Sequence, residues 1–205
     1  MDNDDFRRGK PTNHKVFGEA IAILSGDALL TEAFIMFLNS DRFDYKPLCK
    51  ALIILASAAG AKGMVGGQAE DILSEGQPPE PQKVHFIHTY KTGALISASV
   101  RIAPVLYGAS QEIIDALTIY GDKIGLAYQI IDDILNVTGD ETLLGKKTGT
   151  DAERNKMTYP ALYGLERSKA AAVELIDEAK TALSPLGDRG NYLIELADYL
   201  SSRTS

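Results

Sequence analysis

The chain contains no tryptophan and a single cysteine, Cys49, in 205 residues. A lone cysteine cannot close a disulfide within the chain, and it excludes a multi-cysteine metal centre. A reducing, cytoplasmic setting is the expectation. Positive charge is in deficit: 21 Lys and Arg stand against 28 Asp and Glu, a formal net charge of −7. That balance disfavours nucleic-acid binding but leaves room for a local basic pocket around a small anion. The longest mostly apolar run, Ala51 to Ala61, falls well short of the roughly 20 residues that cross a bilayer. The opening MDNDDFRRGK is charged and lacks the apolar core of a secretory signal. No membrane span is expected. Strand-like alternation is scarce, and no repeat or low-complexity tract is present.

What the chain has is helical periodicity. Hydrophobic residues make up 45% and charged residues 24%, enough for one domain with its own core, expected over residues 1–205. Apolar spacing of three and four predicts helices over Phe17–Leu38, Pro47–Leu73, Lys83–Leu106 and Gln111–Val137, then two or three shorter ones ending with Tyr192–Ser202. Ser74–Gln82 reads as a loop by its Gly and Pro content. Gly139–Arg154 lacks a period and carries glycines, and reads as a functional loop. The class is all-α, a bundle of long helices.

The most informative stretch is GLAYQIIDDILNVTGD, Gly125–Asp140. Gln129, Asp132, Asp133 and Asn136 stand at i, i+3, i+4 and i+7 and share one helix face. The rest of the helix is apolar and needs partners, so the polar face is expected to line a cleft. Adjacent carboxylates repel unless a cation intervenes. Mg²⁺ suits such a face, since it binds through one or two carboxylates plus substrate phosphates and water. The competing reading is an Asp-Asp pair that simply faces solvent.

Basic residues that suit a phosphate group lie elsewhere. Lys146 and Lys147 fall in the glycine-containing loop, and Lys156 is expected to open the helical segment after it. Lys91, Thr92 and Gly93 fall inside the third helix, where Gly costs about 1 kcal/mol relative to Ala. A helix break there would free backbone N–H groups beside a lysine. A snorkelling lysine beside a packing glycine is the bland alternative. At the start, Asp2, Asp4 and Asp5 precede Arg7, Arg8 and Lys10. They read either as a solvated terminus or as a metal carboxylate followed by guanidinium forks for phosphate.

Together these segments resemble the trans-isoprenyl diphosphate synthase family, bacterial farnesyl and geranylgeranyl diphosphate synthases in particular. MDNDDFRRGKPTNH resembles the end of the family's first aspartate-rich motif and the RRG after it; YQIIDDILN resembles the second. GGQAED, HTYKTGALI and LGKKTGTDAERNKMTYP fall in the family's order. The resemblance implies an isoprenoid synthase helical bundle missing its first helices, because Met1 falls inside the first motif. It also implies a Mg²⁺-dependent prenyltransferase that joins isopentenyl diphosphate to an allylic diphosphate, and a homodimer when full length. Asp2 and Asp132 would be metal ligands with Asp133 supporting. Arg7 would hold the allylic diphosphate and Arg8 the isopentenyl diphosphate; as helix neighbours they would point about 100° apart. Lys91, Thr92 and Gln129 would line the allylic site, with Lys146 and Lys156 neutralising the leaving diphosphate. Asn136 departs from the family's aspartate.

Two other readings compete: a non-catalytic subunit that partners a complete synthase, and a class I terpene cyclase. A cyclase needs no second diphosphate site, so RRG, KTG and the late lysines count against it. A helical scaffold without chemistry leaves the polar stripe unexplained.

Overall fold

The computed structural model describes residues 3–139 and 156–202. Helices dominate. A small antiparallel hairpin, β1 (Phe6–Arg7) and β2 (Lys10–Pro11), leads into α1 (Asn13–Phe17) and α2 (Glu19–Leu38). Next come α3 (Tyr45–Ala59), α4 (Met64–Leu73) and α5 (Pro81–Ile87), a π-helical turn over His88–Gly93, α6 (Ala94–Leu106) and α7 (Gln111–Thr138). After the undescribed residues 140–155 follow α8 (Tyr159–Tyr163), α9 (Leu165–Ala182), a 3-10 stretch over Ser184–Gly190 and α10 (Asn191–Ser201).

α7 is the spine. Ser110 caps its start, accepting from the Ile113 N–H, and the helix buries Tyr120, Ile124, Ala127, Ile130 and Leu135. Its neighbours are α9 and α6, and the π-turn packs on it between them. The main core joins these α7 residues to Ala172, Ile176 and Ala179 of α9 and to Leu200 of α10. Each large apolar side chain so enclosed contributes about 1.5–3 kcal/mol. The Tyr120 hydroxyl donates to the Leu193 carbonyl at 2.7 Å, tying α7 to α10. A smaller cluster of Val84, Ile87 and Met157 sits beneath Tyr159 and Leu162.

The predicted helices need three refinements. The first is split at Gly18, where the backbone turns to φ 84°. The second is interrupted after Ala59, because the backbone at Gly63 leaves helical space and a side chain there would overlap the Ala58 carbonyl. The third runs on without a break but changes its winding at the π-turn.

α2 stands apart. None of its residues is buried, and Ile23, Leu24, Leu29 and Met36 are all more than half exposed. Glu19–Leu38 and Tyr45–Leu73 are long and apolar enough to cross a membrane by length and composition, a test that buried core helices also pass. Counting strict apolar runs misses α2 because Ser25, Asp27, Thr31 and Glu32 interrupt it.

Candidate functional site

The site is built where the π-turn is pressed from two sides. Toward α7, Gly93 meets Gly125 so closely that a Cβ on Gly125 would lie 2.7 Å from the Gly93 Cα. Toward α4, a Cβ on Gly67 would overlap the Lys91 backbone nitrogen. Backbone therefore meets backbone on both flanks. π-turns within α-helices occur mostly as single turns and frequently at functional sites. The helix does not break at Lys91–Gly93: it continues with wider hydrogen bonding, which occupies N–H groups that a break would have released.

From this turn a chain of hydrogen bonds runs into α7. The Thr92 hydroxyl donates to Gln129 Oε1 at 2.8 Å, and Gln129 Nε2 donates to Asp133 Oδ1 at 3.1 Å. The other Asp133 oxygen accepts from the Tyr159 N–H at 2.9 Å and sits 3.1 Å from His88 Nε2. Both side chains of that last pair are almost fully buried. Asp133 thus holds the π-turn, α7 and the start of α8 together. His88 makes the contact through Nε2, while its Nδ1 is buried without a hydrogen-bond partner.

On the α4 side, Lys91 Nζ donates to Asp71 Oδ2 at 2.6 Å, and Lys156 Nζ lies 3.5 Å from the same oxygen. Asp71 is 5% exposed. Two lysines distant in sequence thus converge on one buried carboxylate beside the Thr92–Gln129 pair. Lys156 does not open a helix as expected. It lies in extended chain, and α8 begins only at Tyr159, after Thr158 caps it by accepting from the Ala161 N–H.

Asp132 is half-buried, whereas Asp133 and Asn136 are buried. The polar stripe is therefore divided: Gln129 and Asp132 are partly exposed, and the other two face the interior. Among the described residues no group of three or more His, Cys, Asp or Glu side chains is arranged to hold a metal. A half-exposed single carboxylate suits Mg²⁺, which completes its shell with phosphate and water oxygens. It does not suit an all-protein metal cage.

Arg7 and Arg8 are exposed and lie on the hairpin, not on a helix. Arg8 (φ 52°) and Gly9 (φ 72°) form its tight turn, a pair of left-handed residues that matches the twist of the strands. Thr12 Oγ1 donates to the Asp4 carbonyl at 2.7 Å, and Lys15 pairs with Asp5 at 2.8 Å, so the hairpin is fastened to α1. Asp2, Lys146 and Lys147 lie outside the described residues.

Sequence reasoning missed Asp71 and His88 as site residues. For Asp71 a signal existed: Gly67 and Asp71 are four apart in GGQAED, so they share a face of α4. His88 gave none, being one polar residue in an apolar stretch.

Comparisons with known proteins cover nearly the whole chain. The polyprenyl synthetase family model matches residues 1–184. The chain is 45% identical over 206 residues to a dimethylallyltranstransferase of Fischerella ambigua, covering 100% of this chain and 60% of that protein. It is 44% identical to the farnesyl diphosphate synthase of Escherichia coli K12, covering 99% of this chain and 70% of that one. A crystal structure of a geranyltransferase from Helicobacter pylori, complexed with magnesium and isoprenyl diphosphate, superposes with a TM-score of 0.85 at 36% identity, over 98% of this chain and 65% of that one. The chain therefore spans about 60–70% of the length of these proteins. With the family model matched over residues 1–184 and this identity to its relatives, the chain belongs to the polyprenyl synthetase family.

Proposed function

We propose that this chain carries the allylic-diphosphate site of a Mg²⁺-dependent prenyltransferase that condenses isopentenyl diphosphate with an allylic diphosphate, giving farnesyl or geranylgeranyl diphosphate. The observation that carries this reading is the convergence of Lys91 and Lys156 on Asp71 beside Thr92 and Gln129, with Asp132 one helical turn along α7 from Gln129. The matched relatives, which include a dimethylallyltranstransferase and a farnesyl diphosphate synthase, support it.

The division of labour follows from the surroundings of each group. Lys91 and Lys156 oppose the negative charge of the diphosphate, placed in advance where that charge grows. Thr92 and Gln129 orient it with neutral hydrogen bonds. Asp132, joined by Asp2, would hold Mg²⁺; when bound, the metal supplies positive charge that favours departure of the diphosphate. Asp133 supports from behind rather than by ligation, because both its oxygens are taken by protein groups. Arg7 takes the allylic diphosphate and Arg8 the isopentenyl diphosphate, with Lys146 adding charge at the leaving group. A homodimer and a cytoplasmic setting go with this reading.

Isothermal titration of geranyl diphosphate into the protein, with and without Mg²⁺, tests it. Saturable binding that requires Mg²⁺ and is absent for geraniol is the expected result. Equal binding of the alcohol would refute a diphosphate site.

A further inference from the structure

We propose that Asp71 is a positioning residue for the diphosphate-binding lysines: its buried carboxylate gathers the Lys91 and Lys156 ammonium groups to one point before any ligand arrives. The inference deepens the diphosphate-site reading above and rests on it.

Three observations carry it. Asp71 is 5% exposed, so its carboxylate is not available as a general surface charge. One of its oxygens, Oδ2, lies 2.6 Å from Lys91 Nζ and 3.5 Å from Lys156 Nζ. Lys91 comes from the π-turn and Lys156 from extended chain, so no shared element fixes their separation. Asp71 belongs to a third element and is the group they have in common. One helical turn earlier, Gly67 lets α4 touch the backbone of Lys91, and that contact brings the carboxylate within reach. Gly67 and Asp71 thus work as a pair, one permitting close approach and the other using it.

Two ammonium groups drawn together in a half-enclosed cleft repel each other. A carboxylate between them offsets the repulsion and fixes both positions. Without it Lys91 loses its 2.6 Å partner and Lys156 the carboxylate it shares with Lys91, so nothing common to both sets the pre-arranged charge on which diphosphate binding depends. An opposite effect is conceivable, since Asp71 is itself an anion and competes with phosphate for the same lysines. The two effects predict opposite signs. Burial decides between them: side chains with relative exposures of 23% and 10% are held in by their partner, and removing one member of a buried pair leaves the other uncompensated.

The test is the affinity of inorganic pyrophosphate with Mg²⁺, measured by titration calorimetry on the wild type and on Asp71→Asn, which keeps size and shape. Asp71→Asn is expected to bind about tenfold more weakly or worse, the scale of one misplaced charge-assisted hydrogen bond. Asp71→Glu keeps the charge but moves it by one methylene, and is expected to fall between the two. It also supplies the measurement if Asp71→Asn does not fold. In a Lys91→Met background, Asp71→Asn is expected to cost much less, a non-additivity that a merely structural role would not produce. Unchanged or tighter binding by Asp71→Asn, or full additivity with Lys91→Met, overturns the inference alone. A wild-type protein that binds no pyrophosphate overturns the diphosphate-site reading, and the inference with it.

Discussion

At the scale of single residues, Asp132 and Asp133 are neighbours with opposite surroundings. Asp132 is half-buried at the cleft, while Asp133 is enclosed by His88, Gln129 and the Tyr159 N–H. Removing Asp133 leaves the buried His88 Nε2 without its partner, at about 1–3 kcal/mol, and frees two half-buried donors, from Gln129 and Tyr159, at smaller cost. Asp133→Ala is therefore expected to lower unfolding free energy by about 2–4 kcal/mol in urea melts, against less than about 1 kcal/mol for Asp132→Ala. Equal losses would contradict the split. The four-residue spacing announced a shared polar face, but not which members turn inward; that depends on His88 and Tyr159, which approach from other segments. Tyr120 supplies a second residue-level test. Burial pushes its hydroxyl up from 10.0 to about 12. The folded pKa exceeds the unfolded one, so the stabilisation is fully present below pH 10 and is lost as pH rises toward 12. The swing amounts to about 2–3 kcal/mol. Stability of the wild type should fall through this alkaline window, and Tyr120→Phe should flatten the fall; parallel curves would argue against it.

At the scale of elements, the contact between the π-turn and α7 decides whether the site exists. Glycine is needed unequally on its two sides. A Cβ on Gly125 would come within 2.7 Å of the Gly93 Cα, whereas a Cβ on Gly93 would find its nearest neighbour, the His88 carbonyl oxygen, at 3.2 Å. Gly125→Ala is thus expected to push the π-turn off α7 and cost more than 2 kcal/mol or so, as overpacking does. Gly93→Ala should cost clearly less. Thermal melts of the two variants decide, and the reverse order would mean that the helices approach differently. α7 was legible in the sequence because its apolar period persists for seven turns or so. The π-turn was not, because one widened turn leaves the apolar spacing of the surrounding helix almost unchanged. The lysine clamp was half legible: Lys91 and Lys156 were found by their charge, but Asp71 reads locally as a solvent-facing helix residue. Its partners are 20 or more positions away, and only folding brings them together.

At the scale of the whole molecule, α2 is a long helix without a buried face, unlike α3, α7 and α9. A helix that is apolar around its whole circumference belongs inside a core, an interface or a membrane, yet none of its residues is buried. With Leu24, Leu29 and Met36 turned to water, the chain is expected to self-associate rather than run as a monomer. Light scattering after size exclusion checks this, and a Leu24→Lys, Leu29→Lys double variant should shift the protein toward smaller species. A monodisperse wild-type monomer would be the contrary result. The chemistry proposed for Asp132 and the two lysines, transfer of a prenyl group, is open to direct test. The direct measurement is incorporation of radiolabelled isopentenyl diphosphate into longer prenyl diphosphates, with geranyl diphosphate and Mg²⁺, by the wild type and by Asp132→Ala at matched folded concentration. The expected result is Mg²⁺-dependent product from the wild type and a loss of about a hundredfold or more in Asp132→Ala, the scale of losing charge stabilisation at a leaving group. Product formation undiminished in Asp132→Ala, or no label transferred by the wild type, would contradict it.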